Sequence, residues 1–174
     1  MNVQEVLANL DMWHRMIADF SNETEQLYKK LIGEEIHESL DSKTLGNLVK
    51  EASDVIVVCR PIITNGTHYA PKVAHHLSQA AKSLLFEVGV NWWQALHAVN
   101  QSNFSKLILE NELKEAYEHF KKLGIDVCIN PIAQGYFGAY STKDQTVNCK
   151  EYAGGKLLKG PKYQEIDESI EWWK

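Results

Sequence analysis

Two pairs of carboxylates are the residues in this sequence best suited to chemistry. Glu35 and Glu38 are spaced as Glu-x-x-Glu, and Glu51 and Asp54 repeat that spacing a little further along the chain. Residues three apart on a helix project from one side, so each pair presents its oxygen atoms together. Hard oxygen ligands without Cys or His at ligand spacing favour Mg²⁺ over Zn²⁺, with Mn²⁺ as a substitute. The pattern predicts a divalent-metal site.

The helix face on which the acids lie separates them from other acidic pairs in the chain. An apolar stripe at helical spacing runs through residues 27–32, and its continuation leads directly to Glu35 and Glu38. A carboxylate in a core-facing position costs several kcal/mol unless a cation compensates it. Glu115 and Glu118 instead fall beside the stripe of their own predicted helix, which indicates a solvated face.

Helical periodicity accounts for most of the chain. It predicts helices at approximately 3–20, 22–40, 42–59, 71–88, 91–100 and 110–123. Asn22 is the predicted N-cap of the second helix, and Asp41 or Ser42 starts the third. Pro61 is expected to end or kink the third helix, and Gly124 is the expected C-cap of the last. A tight turn near Asp41 would place the two acidic pairs opposite each other.

The pattern changes after residue 124. Short stretches rich in Val, Ile, Tyr and Thr at 127–129 and 135–147 predict strands, with a turn at Lys143 and Asp144. We therefore expect a mainly α protein: an all-α catalytic core over 1–124 and a strand-containing extension over 125–174. Residues 60–88 are interpreted as a helical insertion that covers the site, builds a subunit interface or decorates the fold.

Composition restricts the classes of function. The chain has 174 residues and a net charge of −5, with no basic patch, which argues against binding to nucleic acid. No stretch has the length and apolarity of a membrane span, and the N-terminus lacks the apolar core of a signal peptide. The three cysteines, Cys59, Cys128 and Cys149, are widely spaced, as expected of reduced thiols. These features predict a cytoplasmic protein that does not interact with a membrane.

Several motifs together resemble a known superfamily. Residues 29–38 followed by Glu51-Ala52-Ser53-Asp54 resemble the all-α nucleoside triphosphate pyrophosphohydrolases, which include MazG-like enzymes, dimeric dUTPases and phosphoribosyl-ATP pyrophosphohydrolases. The segment Ser-Asn-Phe-Ser-Lys at 102–106 is similar to a motif of phage and bacterial MazG-like members. The segment Gly-Lys-x-x-Lys at 155–159 is similar to their tail. The resemblance implies a MazG-like helical bundle.

The resemblance also implies a reaction and residue roles. A nucleoside triphosphate would be cut between its α and β phosphates, giving a monophosphate and pyrophosphate. The two acidic pairs would hold Mg²⁺, and Glu34 would orient water or support the metal ligands. Side chains implied to contact the nucleotide are Asn103, Lys106, Lys156, Lys159 and Trp13. Members of this superfamily are generally dimers or tetramers, so a homodimer or homotetramer is expected.

Two alternatives stay open at this point. The same fold hydrolyses phosphoribosyl-ATP in histidine synthesis, and the segment at 29–35 slightly favours that substrate. The long C-terminal extension and the motif at 102–106 count against it. A protein of another class, a nucleotide- or metal-binding regulator without turnover, would carry the same acids.

Overall fold

The computed structural model describes residues 2–17, 20–133, 135–168 and 172–173. It is mainly helical with a small β region near the C-terminus, as the sequence predicts. The helices are α1 (Val3–Ile17), α2 (Asn22–Leu40), α3 (Leu45–Asn65), α4 (Ala70–Glu87), α5 (Trp92–Phe104) and α6 (Leu113–Leu123). The strands are β1 (Ile108–Leu109), β2 (Val127–Ala133), β3 (Tyr136–Ser141), β4 (Gln145–Val147) and β5 (Lys150–Tyr152). Within these described ranges, no helix combines the length and apolarity that a bilayer span requires.

The chain forms two compact units. The first contains residues 1–101 together with 166–174, and the second contains residues 102–165. Helix α6 therefore belongs to the second unit with the strands. The first unit carries both acidic pairs.

Helix α3 is the centre of the first unit. Helices α1, α2 and α4 each pack against it. The run from Val55 to Cys59 is buried at every position, which confirms the prediction of a helix that is covered all round. The segment expected to be an insertion supplies the C-terminal end of α3, from Arg60 to Asn65, and all of α4. Helix α4 packs along α3 and buries Ala74, Ser78, Ala81 and Leu85.

Helix α3 continues through Pro61 instead of ending there. A proline has no N–H to donate to the carbonyl of the residue four positions earlier, which is Val57. In this protein Nε2 of His14, on α1, donates to the Val57 carbonyl oxygen at 3.0 Å. The helix can therefore run on to Asn65, because a side chain from another helix satisfies the carbonyl that the proline leaves open.

The caps of α2 and α3 differ by a few residues from the sequence prediction. Ser21, not Asn22, caps α2: its backbone is extended and its side chain accepts from the Thr24 N–H. Asp41 and Ser42 complete the end of α2, since they donate to the carbonyls of His37 and Glu38. Helix α3 starts later, where the extended Thr44 accepts from the Asn47 N–H.

The first turn of α3 also contacts Glu168, in the C-terminal segment of the first unit that begins at residue 166. Oγ1 of Thr44 donates to the backbone carbonyl of Glu168 at 3.5 Å. A Cβ atom at Gly46 would collide with the backbone of Glu168. Glycine at this position therefore permits the close approach of the two backbones.

The second unit is built on a three-stranded antiparallel sheet of order β1-β3-β2, with a separate β4–β5 hairpin. A bulge lies between Pro131 and Ala133 in β2. The core of the second unit is a small apolar cluster formed by Ile108, Ala116, Phe120, Ile125, Ala139 and Leu158. Helix α6 ends at Gly124, which has a φ of 74° and confirms the predicted C-cap.

Candidate metal centre

Helices α2 and α3 bring three of the four predicted acids into one cluster. Buried Tyr28 and Ile32 define the inner face of α2, and Glu35 follows on that face in a half-buried position. Glu38 was predicted to face the core as well, but it is exposed, in the last turn of α2. Carboxylate oxygens of Glu35, Glu38 and Glu51 lie within 4.8 Å of one another. We refer to these three side chains as the carboxylate cluster. Oxygen atoms this close can share one divalent cation.

Glu51 is the most buried member of the cluster, with 4% of its surface exposed. Its Oε1 accepts from Asn47 Nδ2 at 3.0 Å and from Lys50 Nζ at 2.7 Å. Its Oε2 is also buried, but it has no hydrogen-bond partner within the described part of the chain. A buried carboxylate oxygen without a partner is costly. In the metal-free protein a proton on Glu38, whose pKa is raised in part by a hydrogen bond with Glu51, offsets some of that cost, and a bound cation would replace it.

The acids in and around the cluster repel one another. Burial, followed by the charges of Asp54, Glu38 and Glu51, raises the pKa of Glu35 to about 8. Burial and the charge of Glu51 also raise the pKa of Glu38. In the absence of a divalent cation, the cluster therefore does not carry its full negative charge at neutral pH.

Asp54 and Glu34 have different surroundings from the cluster. Asp54 is outside the group of three, yet its charge acts on Glu35 and its Oδ2 lies 3.3 Å from Lys50 Nζ. Glu34 is on the outer side of α2, half exposed, with Oε1 3.5 Å from the Nζ of Lys30. The structure thus supports Asp54 as a neighbour of the cluster, whereas the role of Glu34 stays a prediction.

Lys50 is a charged residue in this region to which the motif assigns no role. Its Nζ contacts Glu51, Asp54 and, at 3.9 Å, Oε1 of Glu168. Burial alone would lower the pKa of this lysine, but the charges of Asp54 and Glu51 raise it overall. Lys50 is therefore protonated. Its position directly before Glu51 and four residues before Asp54 is the sequence signal that could have revealed it.

The acids of α6 behave as the sequence predicts. Glu115 and Glu118 are exposed, on the face of α6 opposite buried Ala116 and Phe120. The same Glu-x-x-Glu spacing therefore gives a solvated surface on α6 and a clustered site on α2.

The predicted substrate residues Asn103 and Lys106 lie together in the second unit. Lys106 Nζ donates to Asn103 Oδ1 at 2.6 Å. The two serines of the same motif bind the backbone of Gln164. Ser102 Oγ donates to the Gln164 carbonyl at 2.8 Å, and the Gln164 N–H donates to Ser105 Oγ at 2.8 Å. Part of this motif is therefore structural.

Lys156 and Lys159 are also in the second unit. Lys156 is exposed, and its carbonyl oxygen accepts from the Ser141 N–H. Lys159 Nζ lies 2.6 Å from Glu165 Oε1 and 4.4 Å from the ring centre of Tyr163. Tyr163 was not predicted to have a role, and its hydroxyl also contacts Ser102 Oγ at 3.2 Å. Tyr163 thus contacts one residue from each of the two motifs of the resemblance, which are distant in sequence.

A cavity of about 410 Å³ opens in the first unit, where α1, α2 and α3 meet. Side chains that line it include Asp11, His14, Arg15, Phe20, Tyr28 and Asn65. Both ring nitrogens of His14 make hydrogen bonds, because its Nε2 donates to the Val57 carbonyl oxygen and its Nδ1 accepts from the Tyr28 hydroxyl at 2.9 Å.

Trp13, the predicted base-stacking residue, is 3% exposed and belongs to the core. Its contribution to substrate binding stays a prediction.

The cavity and the carboxylate cluster lie along the same two helices. Tyr28 precedes Glu35 by two helical turns on one face of α2, a rise of roughly 10 Å. Pro61 follows Asp54 by about the same distance on α3. The first unit thus combines a polar cluster with a cavity large enough for a small organic molecule.

No protein-family model matches this chain, and no curated protein or solved structure matches it. The resemblance to the pyrophosphohydrolases remains a prediction from the sequence motifs.

Proposed function

We propose that this protein is an Mg²⁺-dependent nucleoside triphosphate pyrophosphohydrolase that converts a ribo- or deoxynucleoside triphosphate to its monophosphate and pyrophosphate. The observation that carries the proposal is Oε2 of Glu51, a buried carboxylate oxygen without a hydrogen-bond partner within the described residues. Glu51 forms the carboxylate cluster with Glu35 and Glu38. The sequence motifs add the reaction type to this metal-binding geometry.

The residues present fit a hard divalent cation. Glu35, Glu38 and Glu51 would hold the ion, with Asp54 beside them, and all four supply oxygen atoms. Bound there, Mg²⁺ would neutralise charge on the phosphates and lower the pKa of the attacking water. The protein itself fixes the carboxylates on two packed helices, so that little reorganisation is needed when the ion binds.

The cavity is the proposed position of the nucleoside. Tyr28 and Phe20 offer aromatic surface, and Asn65 and Arg15 offer polar groups that can orient a base or sugar. The two-turn separation from Glu35 suits a ligand with its nucleoside at one end and its phosphates at the other. This arrangement supports a nucleotide rather than inorganic phosphate as the substrate.

The remaining proposals come from the resemblance. Asn103, Lys106, Lys156 and Lys159 would contact the nucleotide, with the lysines acting as positive charges on phosphate. The enzyme would work in the cytoplasm as a homodimer or homotetramer.

A product analysis with a matched pair of variants tests the proposal. The protein is incubated with Mg²⁺ and a panel of ribo- and deoxynucleoside triphosphates and phosphoribosyl-ATP, and products are resolved by ion-exchange chromatography. We expect monophosphate and pyrophosphate, with turnover reduced at least about a hundredfold in Glu38→Gln because a metal ligand is neutralised. Glu118→Gln makes the same change on the exposed face of α6 and should retain full activity.

Other products would contradict the proposal in distinct ways. Diphosphate and orthophosphate would show that a different bond is cut. Turnover of phosphoribosyl-ATP alone would assign the related hydrolase activity. Metal-dependent nucleotide binding without turnover of any substrate would identify a binding protein.

A further inference from the structure

Lys50 is placed to act as a cation within the acidic region. Its Nζ lies 2.7 Å from Glu51 Oε1 and 3.3 Å from Asp54 Oδ2. Glu168, from the segment that returns after the second unit, is 3.9 Å away. The side chain of Lys50 is 27% exposed, so water screens these contacts only in part.

One ammonium group cannot satisfy all of the surrounding acids. Lys50 engages one oxygen of Glu51, while the other oxygen, Oε2, stays buried and has no described hydrogen-bond partner. Glu35 and Glu38 complete the carboxylate cluster to which Glu51 belongs. Lys50 thus balances part of the negative charge and leaves the rest for a second cation.

We propose that Lys50 is an internal counter-ion: it stabilises the acidic region of the metal-free protein and, by its own positive charge, weakens the binding of a divalent cation to the carboxylate cluster. The proposal rests on the metal centre of the proposed function. In this role Lys50 is a positioning residue, because it acts through Glu51 and Asp54 and not on the substrate.

A thermodynamic argument gives the direction of the effect. In the metal-free protein Lys50 attracts the carboxylates, so its removal raises the free energy of the folded state. In the metal-bound protein Lys50 still attracts the carboxylates, but it also repels the ion, so its removal costs less there. Loss of the charge therefore raises the free energy of the metal-free protein more than that of the metal-bound protein, and the affinity of a variant without the charge should increase.

The experiment compares three variants of the full chain. Lys50→Met removes the charge but keeps an unbranched side chain, and Lys50→Arg keeps the charge. Lys72→Met makes the same charge change at an exposed position on α4. Mn²⁺ binding is measured by the electron paramagnetic resonance signal of the free ion, and thermal unfolding is followed in the presence of a chelator.

We expect Lys50→Met to bind Mn²⁺ about tenfold more tightly than the parent protein, while Lys50→Arg and Lys72→Met stay close to it. With chelator, Lys50→Met should unfold at a lower temperature than Lys72→Met. Saturating Mn²⁺ should reduce that difference, because the variant binds the ion more tightly.

Three outcomes would overturn the inference. Equal or weaker Mn²⁺ binding by Lys50→Met would show that Lys50 does not compete with the ion, although the metal site itself would stand. An unchanged unfolding temperature with chelator would show that Lys50 does not stabilise the metal-free acids. No Mn²⁺ binding by any variant would remove the metal centre, and with it the proposed function.

Discussion

Replacing Glu51 with Gln is expected to lower kcat by about a thousandfold or more at saturating Mg²⁺. Glu51 is the most buried acid of the carboxylate cluster and supplies the oxygen that has no described hydrogen-bond partner. Glutamine has nearly the same shape, and its carbonyl oxygen can still accept from Asn47 and Lys50. The substitution therefore removes charge while it preserves the packing of α2 on α3. Initial rates of pyrophosphate release would measure the loss.

The metal-free stability of this variant separates a catalytic defect from a folding defect. Glu51→Gln removes both the repulsion from neighbouring acids and part of the attraction to Lys50, so its unfolding temperature with chelator should stay close to that of the parent protein. Mg²⁺ should no longer raise that temperature. If the variant retains activity within about tenfold of the parent, Glu51 is not a metal ligand of the reaction.

The second large effect concerns stability in weak acid. Burial lowers the pKa of His14 from 6.5 to about 4, and this exceeds the raising effect of its hydrogen bond to Val57. Between these two values the unfolded chain binds a proton that the folded protein excludes. The contribution of His14 to the free energy of unfolding should therefore have its full value above about pH 7 and decrease as the pH drops toward 4. The contribution of this group is roughly 3 kcal/mol.

The variant His14→Gln isolates that contribution. A glutamine amide can donate to the Val57 carbonyl but does not titrate in this range, so the loss between about pH 7 and pH 5 should be smaller in the variant. Urea unfolding at a series of pH values measures both proteins. Parallel pH profiles for the parent and the variant would show that His14 is charged in the folded protein, or that it does not govern the acid response.

The parts of this fold that local patterns determine were predictable from sequence. An apolar stripe that ends in Glu35 distinguishes α2 from α6, where Glu115 and Glu118 are exposed as predicted, but the prediction of a core-facing position was wrong for exposed Glu38. The continuous apolar run of α3 gives a fully buried helix for the same reason. Gly124 ends α6 because glycine adopts the left-handed conformation without strain.

Features that depend on distant partners were not predictable in this way. Pro61 indicates a helix end locally, but His14 supplies the hydrogen bond that lets α3 continue. The contact of Lys50 with Glu168 also depends on a distant segment, whereas its contacts with Glu51 and Asp54 follow from helical spacing. The later start of α3 has a local cause, because Asp41 and Ser42 complete α2 and Thr44 caps α3.

The return of the chain to the first turn of α3 matters for protein engineering. Residues from 166 onward belong to the unit that carries the acids, and Glu168 contacts both Thr44 and Lys50. Removing this segment would therefore alter the acidic unit, although the residues directly before it belong to the β-containing unit. A fluorescent label attached next to Glu168 would be close to Lys50, and its emission would offer an optical signal for cation binding.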